Sequence, residues 1–139
     1  MQKNKPLKRF VLIGNPVQHS LLPDIHHHFA QQANINLSYE KLLCEPDELS
    51  VVLHQLESQG FSGVNITRPF KSHAYHLADK KSTLAKKSQS ANTLQWVDQK
   101  LCCENFDGTG LIQDLTHNHQ VTLQPVSYTH LTLPTNREV

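Results

Sequence analysis

The sequence has few cysteines, almost no net charge and no long apolar run, and each of these absences excludes a class of protein. Its three cysteines are an odd number and two of them, Cys102 and Cys103, are adjacent, which favours a reducing cytosol over a disulfide framework or a zinc site. A formal net charge of +1 does not indicate the strongly basic character that is typical of proteins that bind nucleic acid. The apolar run at residues 10–13 is too short for a secretory signal or a membrane span. The composition therefore predicts a cytoplasmic protein with neither nucleic acid nor membrane as a partner.

Glycine is also scarce, which bears on nucleotide binding. The chain has five glycines, and the close pair Gly108 and Gly110 meets Gln113 where a dinucleotide-binding fingerprint has its third glycine. We therefore expect no cofactor-binding residues in this chain. No metal site is predicted either, because the consecutive residues His26, His27 and His28 point about 100° apart on a helix and cannot converge on one ion.

Apolar runs of strand length alternate with segments of helical periodicity along most of the chain. Strands separated by helices indicate βαβ units and a mostly parallel sheet. A tight turn at Asp98 and Gln99 joins the last two strands into a hairpin. The sequence thus predicts an α/β fold, a three-layer sandwich around a mostly parallel sheet with an antiparallel hairpin member. The predicted strands are residues 9–13, 38–43, 63–66, 92–97 and 100–104, and the predicted helices are residues 23–33, 69–77, 83–88, one from Pro46 to a stop at Gly60 and one starting near 108.

Three predicted strands run directly into polar turns. The strand at residues 63–66 leads to Asn65, Thr67 and Lys71, the first strand leads to Ser20, and the last leads to Asp107. In open α/β sheets, ligands bind at the carboxyl ends of the strands. The pattern therefore predicts a ligand site formed by these turns.

Lys71 and Asp107 are the candidates for chemistry, although each has an ordinary alternative. A lone lysine is usually a solvated surface residue, and Asp107 and Ser20 could each simply cap a helix. Together, at neighbouring strand ends, a lysine and an aspartate form a plausible acid–base pair. The aspartate holds the ammonium in place, and the lysine exchanges a proton with a substrate hydroxyl.

Four motifs follow one another between residues 9 and 115. They are Gly14-Asn15-Pro16 with His19-Ser20, Asn65-x-Thr67-x-Pro69-x-Lys71, Ala91-Asn92-Thr93-Leu94 and Asn105-x-Asp107-Gly108-x-Gly110. In order and spacing they resemble the N-terminal, substrate-binding domain of the shikimate dehydrogenase family.

The resemblance implies an oxidoreductase of aromatic amino-acid biosynthesis that reduces 3-dehydroshikimate to shikimate with NADPH. It implies a domain at residues 1–116, and a linker and non-family tail at residues 117–139, with a foreign sequence from about Val126. Since the family's NADP-binding domain has no counterpart here, we expect the chain alone to be inactive. The resemblance assigns catalysis to Lys71 and Asp107, the ring hydroxyls to Asn65, Thr67 and Asn92, and the substrate carboxylate to Ser20.

The chain departs from the family pattern at two positions in these motifs. Leu22 replaces a serine that follows Ser20 in the family's first turn, and Phe106 replaces a threonine beside Asp107. A leucine side chain cannot donate a hydrogen bond to a carboxylate, which leaves open whether shikimate or quinate is preferred. Two other interpretations also stay open. The chain could be a non-catalytic module that binds a small hydroxylated carboxylic acid, or it could be a non-functional fragment.

Overall fold

The computed structural model describes residues 5–126, and the part up to Asp107 forms a six-stranded sheet with helices on both faces. The predicted foreign tail lies, apart from Val126 itself, outside these residues. The described chain divides into a first compact unit that ends at Asp107 and a second that begins at Gly108. The strands are β1 (Lys8–Gly14), β2 (Leu37–Leu43), β3 (Gly63–Ile66), β4 (Lys80–Lys81), β5 (Thr93–Val97) and β6 (Lys100–Glu104). The helices are α1 (Leu22–Gln32), α2 (Leu49–Ser58), α3 (Lys71–Leu77), α4 (Thr83–Ser88) and α5 (Asp107–Gln113), followed by a π-helical turn (Asp114–Asn118).

The sheet has the strand order β2-β1-β3-β5-β6-β4. β1 pairs in parallel with β2 and β3, and β4 pairs in parallel with β6, whereas β5 runs antiparallel to both of its neighbours. Asp98 and Gln99, which join β5 to β6, have φ angles of 51° and 60° and so form the primed turn that suits a tight hairpin. The predicted α/β fold, with a mostly parallel sheet and an antiparallel hairpin, is confirmed.

The sheet separates two apolar layers because successive side chains of a strand point to opposite faces. Val11 and Ile13 of β1 belong to the larger cluster, into which α2, α3 and α4 also pack. Leu12, between them, points the other way and packs with Val17 and Tyr39, against which Leu22 of α1 is packed. The larger cluster contains the fully buried residues Ile13, Leu49, Ala74, Ala85 and Ala91.

Helix α2 begins at Leu49 rather than at the predicted Pro46. Residues 46–48 form a turn, in which the Glu48 amide donates to the Glu45 carbonyl at 3.1 Å. Proline and acidic residues suit the first turn of a helix, but they suit a turn before it equally well. The helix ends as predicted, because Gly60 has a φ of 77° and the Phe61 amide donates to the Leu56 carbonyl at 3.1 Å.

Helix α1 leaves much of its apolar side uncovered. Ile25 and Phe29, whose helical spacing predicted the helix, are 44% and 57% exposed, and Ala30 is the buried residue of α1. Beside this side lies a largely apolar cleft of about 600 Å³, lined by Phe29, Ile35 and Gly63 among others. Within residues 5–126, no helix is both long and apolar enough to cross a membrane.

Candidate active site

The turns after β1 and β3 lie side by side. The Thr67 amide donates to the Ile13 carbonyl at 2.9 Å, and the Asn15 amide donates to the Arg68 carbonyl at 3.0 Å. A Cβ on Gly14 would collide with Cγ2 of Thr67, so this close approach needs a glycine. The first predicted polar turn is therefore held directly against the one that leads to Lys71.

Lys71 and Asp107 form a direct ion pair although they lie 36 positions apart. Nζ of Lys71 is 2.5 Å from Oδ2 of Asp107, and the two side chains are 32% and 53% exposed. The prediction that the two residues follow neighbouring strands is wrong, because β5 lies between β3 and β6. Since β5 is antiparallel to both, β3 and β6 run in the same direction and end at the same edge, where β5 begins.

Asn92 stands at the start of β5, between the two charged residues. Its Nδ2 donates to Oδ1 of Asp107 at 2.8 Å, and its Oδ1 accepts from the Phe106 amide at 3.1 Å. The neighbouring Ala91 amide donates to the Lys71 carbonyl at 2.8 Å, which ties the start of α3 to β5. Asn92 thus connects the elements that carry the lysine and the aspartate.

The backbone of Asp107 is positioned by Asn105, which is 8% exposed. Oδ1 of Asn105 accepts from the Asp107 amide at 3.1 Å, while its Nδ2 donates to Oγ of Ser90 at 2.6 Å and to Oγ of Ser88 at 3.0 Å. In the sequence analysis, Asn105 was part of the fourth motif but had no predicted role. The structure shows that it anchors the turn from which Asp107 reaches Lys71.

Asn65 and Thr67 are half-buried at the end of β3. Nδ2 of Asn65 donates to the Asn92 carbonyl and to Oγ1 of Thr93, both at 3.3 Å, and its Oδ1 accepts from the Tyr39 hydroxyl at 2.7 Å. Both amide hydrogens are therefore used inside the protein, and Oδ1 keeps a lone pair with which it could accept from a ligand hydroxyl. Tyr39 and Thr93 were not among the predicted site residues.

Ser20 lies in the turn before α1, next to the position where the chain departs from the family pattern. Its Oγ accepts from the Leu22 amide at 3.2 Å, so the hydroxyl hydrogen is available for an acceptor such as a carboxylate. Leu22 is only half-buried, and it packs against the cluster of Leu12, Val17 and Tyr39. The leucine therefore fills a place in the smaller apolar layer, which the sequence did not indicate.

Three influences act on the Asp107 carboxyl group. Partial burial raises its pKa, but the hydrogen bonds from Lys71 and Asn92 and the positive charge of Lys71 outweigh that effect, so the pKa lies below the ordinary value of 3.8. Asp107 is consequently a carboxylate at neutral pH. It can hold an ammonium group in a fixed position for proton exchange.

Replacing Lys71 by Ala is expected to raise the pKa of Asp107, because a hydrogen bond and a charge are lost while partial burial remains. Since the folded-state pKa is lowered, the pair adds to stability above the ordinary carboxyl pKa, and this contribution is lost as the pH falls through the folded-state value. An NMR titration of the Asp107 carboxyl carbon measures the shift. Lys87→Ala, at an exposed position of α4, serves as the control. An unchanged titration in Lys71→Ala would show that the ion pair is not formed in solution.

The fold and the site together define an open α/β domain that carries a lysine–aspartate pair at one edge of its sheet. The chain belongs to the family of the shikimate dehydrogenase substrate binding domain, whose model matches residues 12–94. The family predicted from the four motifs is thereby confirmed. The roles of Ser20, Asn65, Thr67, Lys71, Asn92 and Asp107 stay predictions.

Named relatives support the same family. Over 118 residues the chain is 41% identical to a shikimate dehydrogenase (NADP(+)) of Coxiella burnetii, and this match covers 84% of the chain and 43% of the relative. A crystal structure of an Ael1 enzyme from Pseudomonas putida superimposes with a TM-score of 0.79 at 39% identity, over 81% of this chain and 42% of that one. A shikimate 5-dehydrogenase of Thermus thermophilus in complex with shikimate also gives 0.79, at 29% identity over 86% of this chain and 45% of that one. The chain thus spans less than half the length of these relatives.

Proposed function

We propose that this chain binds shikimate and 3-dehydroshikimate, and that it is the substrate-binding part of an oxidoreductase that interconverts them. The observation that carries the proposal is the Lys71–Asp107 pair, with Nζ and Oδ2 2.5 Å apart at the edge where β3 and β6 end and β5 begins. Asn65 and Thr67 lie where β3 ends, Asn92 lies where β5 begins, and their amide and hydroxyl groups are available for ring hydroxyls. Ser20 offers a hydroxyl donor for the carboxylate.

In the proposed reaction, Lys71 is the residue that transfers the proton. Reduction of a ketone adds a hydride to carbon and a proton to oxygen, and the Lys71 ammonium donates that proton to the carbonyl oxygen. Asp107 holds the ammonium through the bond to Nζ and offsets its charge. In the reverse direction, the neutral amine of Lys71 accepts the proton of the substrate hydroxyl.

The hydride would come from NADPH, the reduced form of the cofactor that the name of the Coxiella burnetii relative gives. The described residues lack the full glycine pattern of a dinucleotide loop: Gly108 and Gly110 belong to α5, and Gln113 stands where the pattern has its third glycine. A dinucleotide loop uses glycine so that the pyrophosphate can approach the backbone closely. The described residues therefore do not fit this cofactor.

Calorimetric titration of the chain with shikimate tests the proposal. We expect saturable binding that Asp107→Ala weakens, because Asp107 fixes both Lys71 and Asn92. Lys87→Ala is the control and should bind like the unsubstituted chain. Absence of shikimate binding to a chain whose fold is verified by NMR would refute the proposed function.

Leu22→Ser is expected to tighten shikimate binding about tenfold, because a hydroxyl at this position adds a hydrogen bond to the carboxylate. The substitution also removes apolar contacts from the layer around Leu12 and Tyr39. Leu22→Ala removes the same contacts without adding a donor, so the comparison of the two isolates the hydroxyl. Equal affinities in the serine and alanine variants would contradict the placement of the carboxylate beside Ser20.

A further inference from the structure

A continuous chain of hydrogen bonds crosses the sheet from β2 to the Lys71–Asp107 pair. It begins at Tyr39, which is 7% exposed and whose hydroxyl lies 2.7 Å from Oδ1 of Asn65. Tyr39 is on β2 and Asn65 is on β3, with β1 between them. The tyrosine therefore spans two strand spacings, roughly 9–10 Å, to reach an amide at the site.

The orientation of the Asn65 amide follows from its other partners. Nδ2 of Asn65 lies 3.3 Å from the Asn92 carbonyl, which can only accept a hydrogen bond. The nitrogen must therefore face β5 and the oxygen must face Tyr39, whose hydroxyl then donates. Burial raises the pKa of Tyr39, so this hydroxyl keeps its proton throughout the neutral range. The ring is also held from the helix side, since His26 stacks on it at a centroid distance of 4.6 Å and an interplanar angle of 13°.

Thr93 continues the chain toward the charged pair. Its Oγ1 accepts from Nδ2 of Asn65 at 3.3 Å and donates to Oδ1 of Asn92 at 3.0 Å. The Phe106 amide donates to the same Oδ1 at 3.1 Å. With two donors fixing its oxygen, the Asn92 amide turns its nitrogen to Oδ1 of Asp107 at 2.8 Å.

We propose that Tyr39 and Thr93 are positioning residues, whose hydroxyls orient the amides of Asn65 and Asn92 and thereby hold Asp107 in place for Lys71. Every hydrogen bond of the series runs in one donor direction, from the tyrosine hydroxyl to the carboxylate. Loss of either hydroxyl therefore removes one of the partners that fix the orientation of the next amide. This inference rests on the proposed function for its catalytic meaning. The geometry of the hydrogen bonds from Tyr39 to Asp107 does not depend on the identity of the substrate.

Thr93→Val tests the second hydroxyl with almost no change of shape, and Thr93→Ser restores it. We expect the pKa of Asp107 to rise in Thr93→Val, because the Asn92 amide then donates less regularly to the carboxylate, and to return in Thr93→Ser. We expect shikimate affinity to fall about threefold to tenfold in the valine variant and to recover in the serine variant. A purely structural role for Thr93 would change the thermal midpoint but not the titration of Asp107.

Tyr39→Phe tests the first hydroxyl, with Tyr75→Phe as the matched control on α3. Tyr75 is half-buried and packs against the larger apolar cluster. We expect Tyr39→Phe to raise the pKa of Asp107 and to weaken shikimate binding about threefold, and Tyr75→Phe to change neither.

The readouts separate this inference from the proposed function. The NMR titration of Asp107 needs no ligand, so it decides the positioning role even if the unsubstituted chain does not bind shikimate. Titrations unchanged in both Tyr39→Phe and Thr93→Val would overturn the inference. Loss of the fold in both variants would also overturn it, since the hydroxyls would then support the fold rather than the pair.

Discussion

Lys71→Ala is expected to lower turnover by about 10²–10⁴-fold in a chimera that joins this chain to the remaining part of the Coxiella burnetii relative. The reason is that Lys71 is the proposed proton donor, and the half-exposed Asp107 beside it is ionised and cannot replace it. The KM for 3-dehydroshikimate should change much less than kcat, because Ser20, Thr67 and Asn92 remain to bind the substrate. NADPH oxidation at varied substrate concentration measures both quantities.

Two further variants sharpen this experiment. Lys71→Arg keeps a cation opposite Asp107, but a guanidinium does not release its proton, so kcat should stay low while substrate affinity is largely kept. Lys87→Ala removes an exposed lysine of α4 and should leave kcat unchanged. If Lys71→Ala turned over within about twofold of the unsubstituted chimera, proton transfer by Lys71 would be excluded.

Phe70→Ala is expected to reduce the free energy of unfolding by about 3–5 kcal/mol, the largest stability effect that we predict. Phe70 is 2% exposed, belongs to the larger apolar cluster and directly precedes Lys71 at the start of α3. Its removal leaves a cavity that the surrounding side chains fill only in part. Urea unfolding measures the loss, which is large against the roughly 5–15 kcal/mol that a domain has in total.

Phe29→Ala is the matched control for this substitution. Phe29 is 57% exposed on α1, so its truncation should change the free energy of unfolding by less than about 1 kcal/mol. If Phe70→Ala does not fold, Phe70→Leu keeps most of the volume and should cost less than about 1.5 kcal/mol. If Phe70→Ala and Phe29→Ala lowered the free energy of unfolding equally, the burial of Phe70 and the exposure of Phe29 would be contradicted.

The limits of prediction are clearest in the helices. Helix α4 has the predicted bounds because Ser82 accepts from the Ala85 amide at 3.1 Å, a local cap. The start of α2 was placed too early, because local composition does not distinguish a helix from the turn before it. The short strand β4 was not predicted, since its two residues become a strand only by pairing with Cys102 and Cys103.

The sequence named several residues that the structure brings to one edge of the sheet, but it did not indicate the hydrogen bonds that connect them. The motifs named Lys71, Asp107 and Asn92, and the alternation of strands and helices placed them at strand ends. Tyr39 escaped prediction because its part in the site depends on reaching across β1 to Asn65, which no local pattern records. The sequence likewise did not indicate that Leu22 packs into the smaller apolar layer.

The sequence by itself determined the fold class, the strands around the site and the family, because apolar periodicity, turn residues and motif spacing act over short stretches of chain. Only the tertiary structure decided that β5 lies between β3 and β6, and so that the ends of those two strands meet the start of β5. The contact between Lys71 and Asp107, 36 positions apart, depends on that arrangement. The orientation of each site amide depends on donors and acceptors from different strands, and those partners become neighbours only when the sheet is assembled.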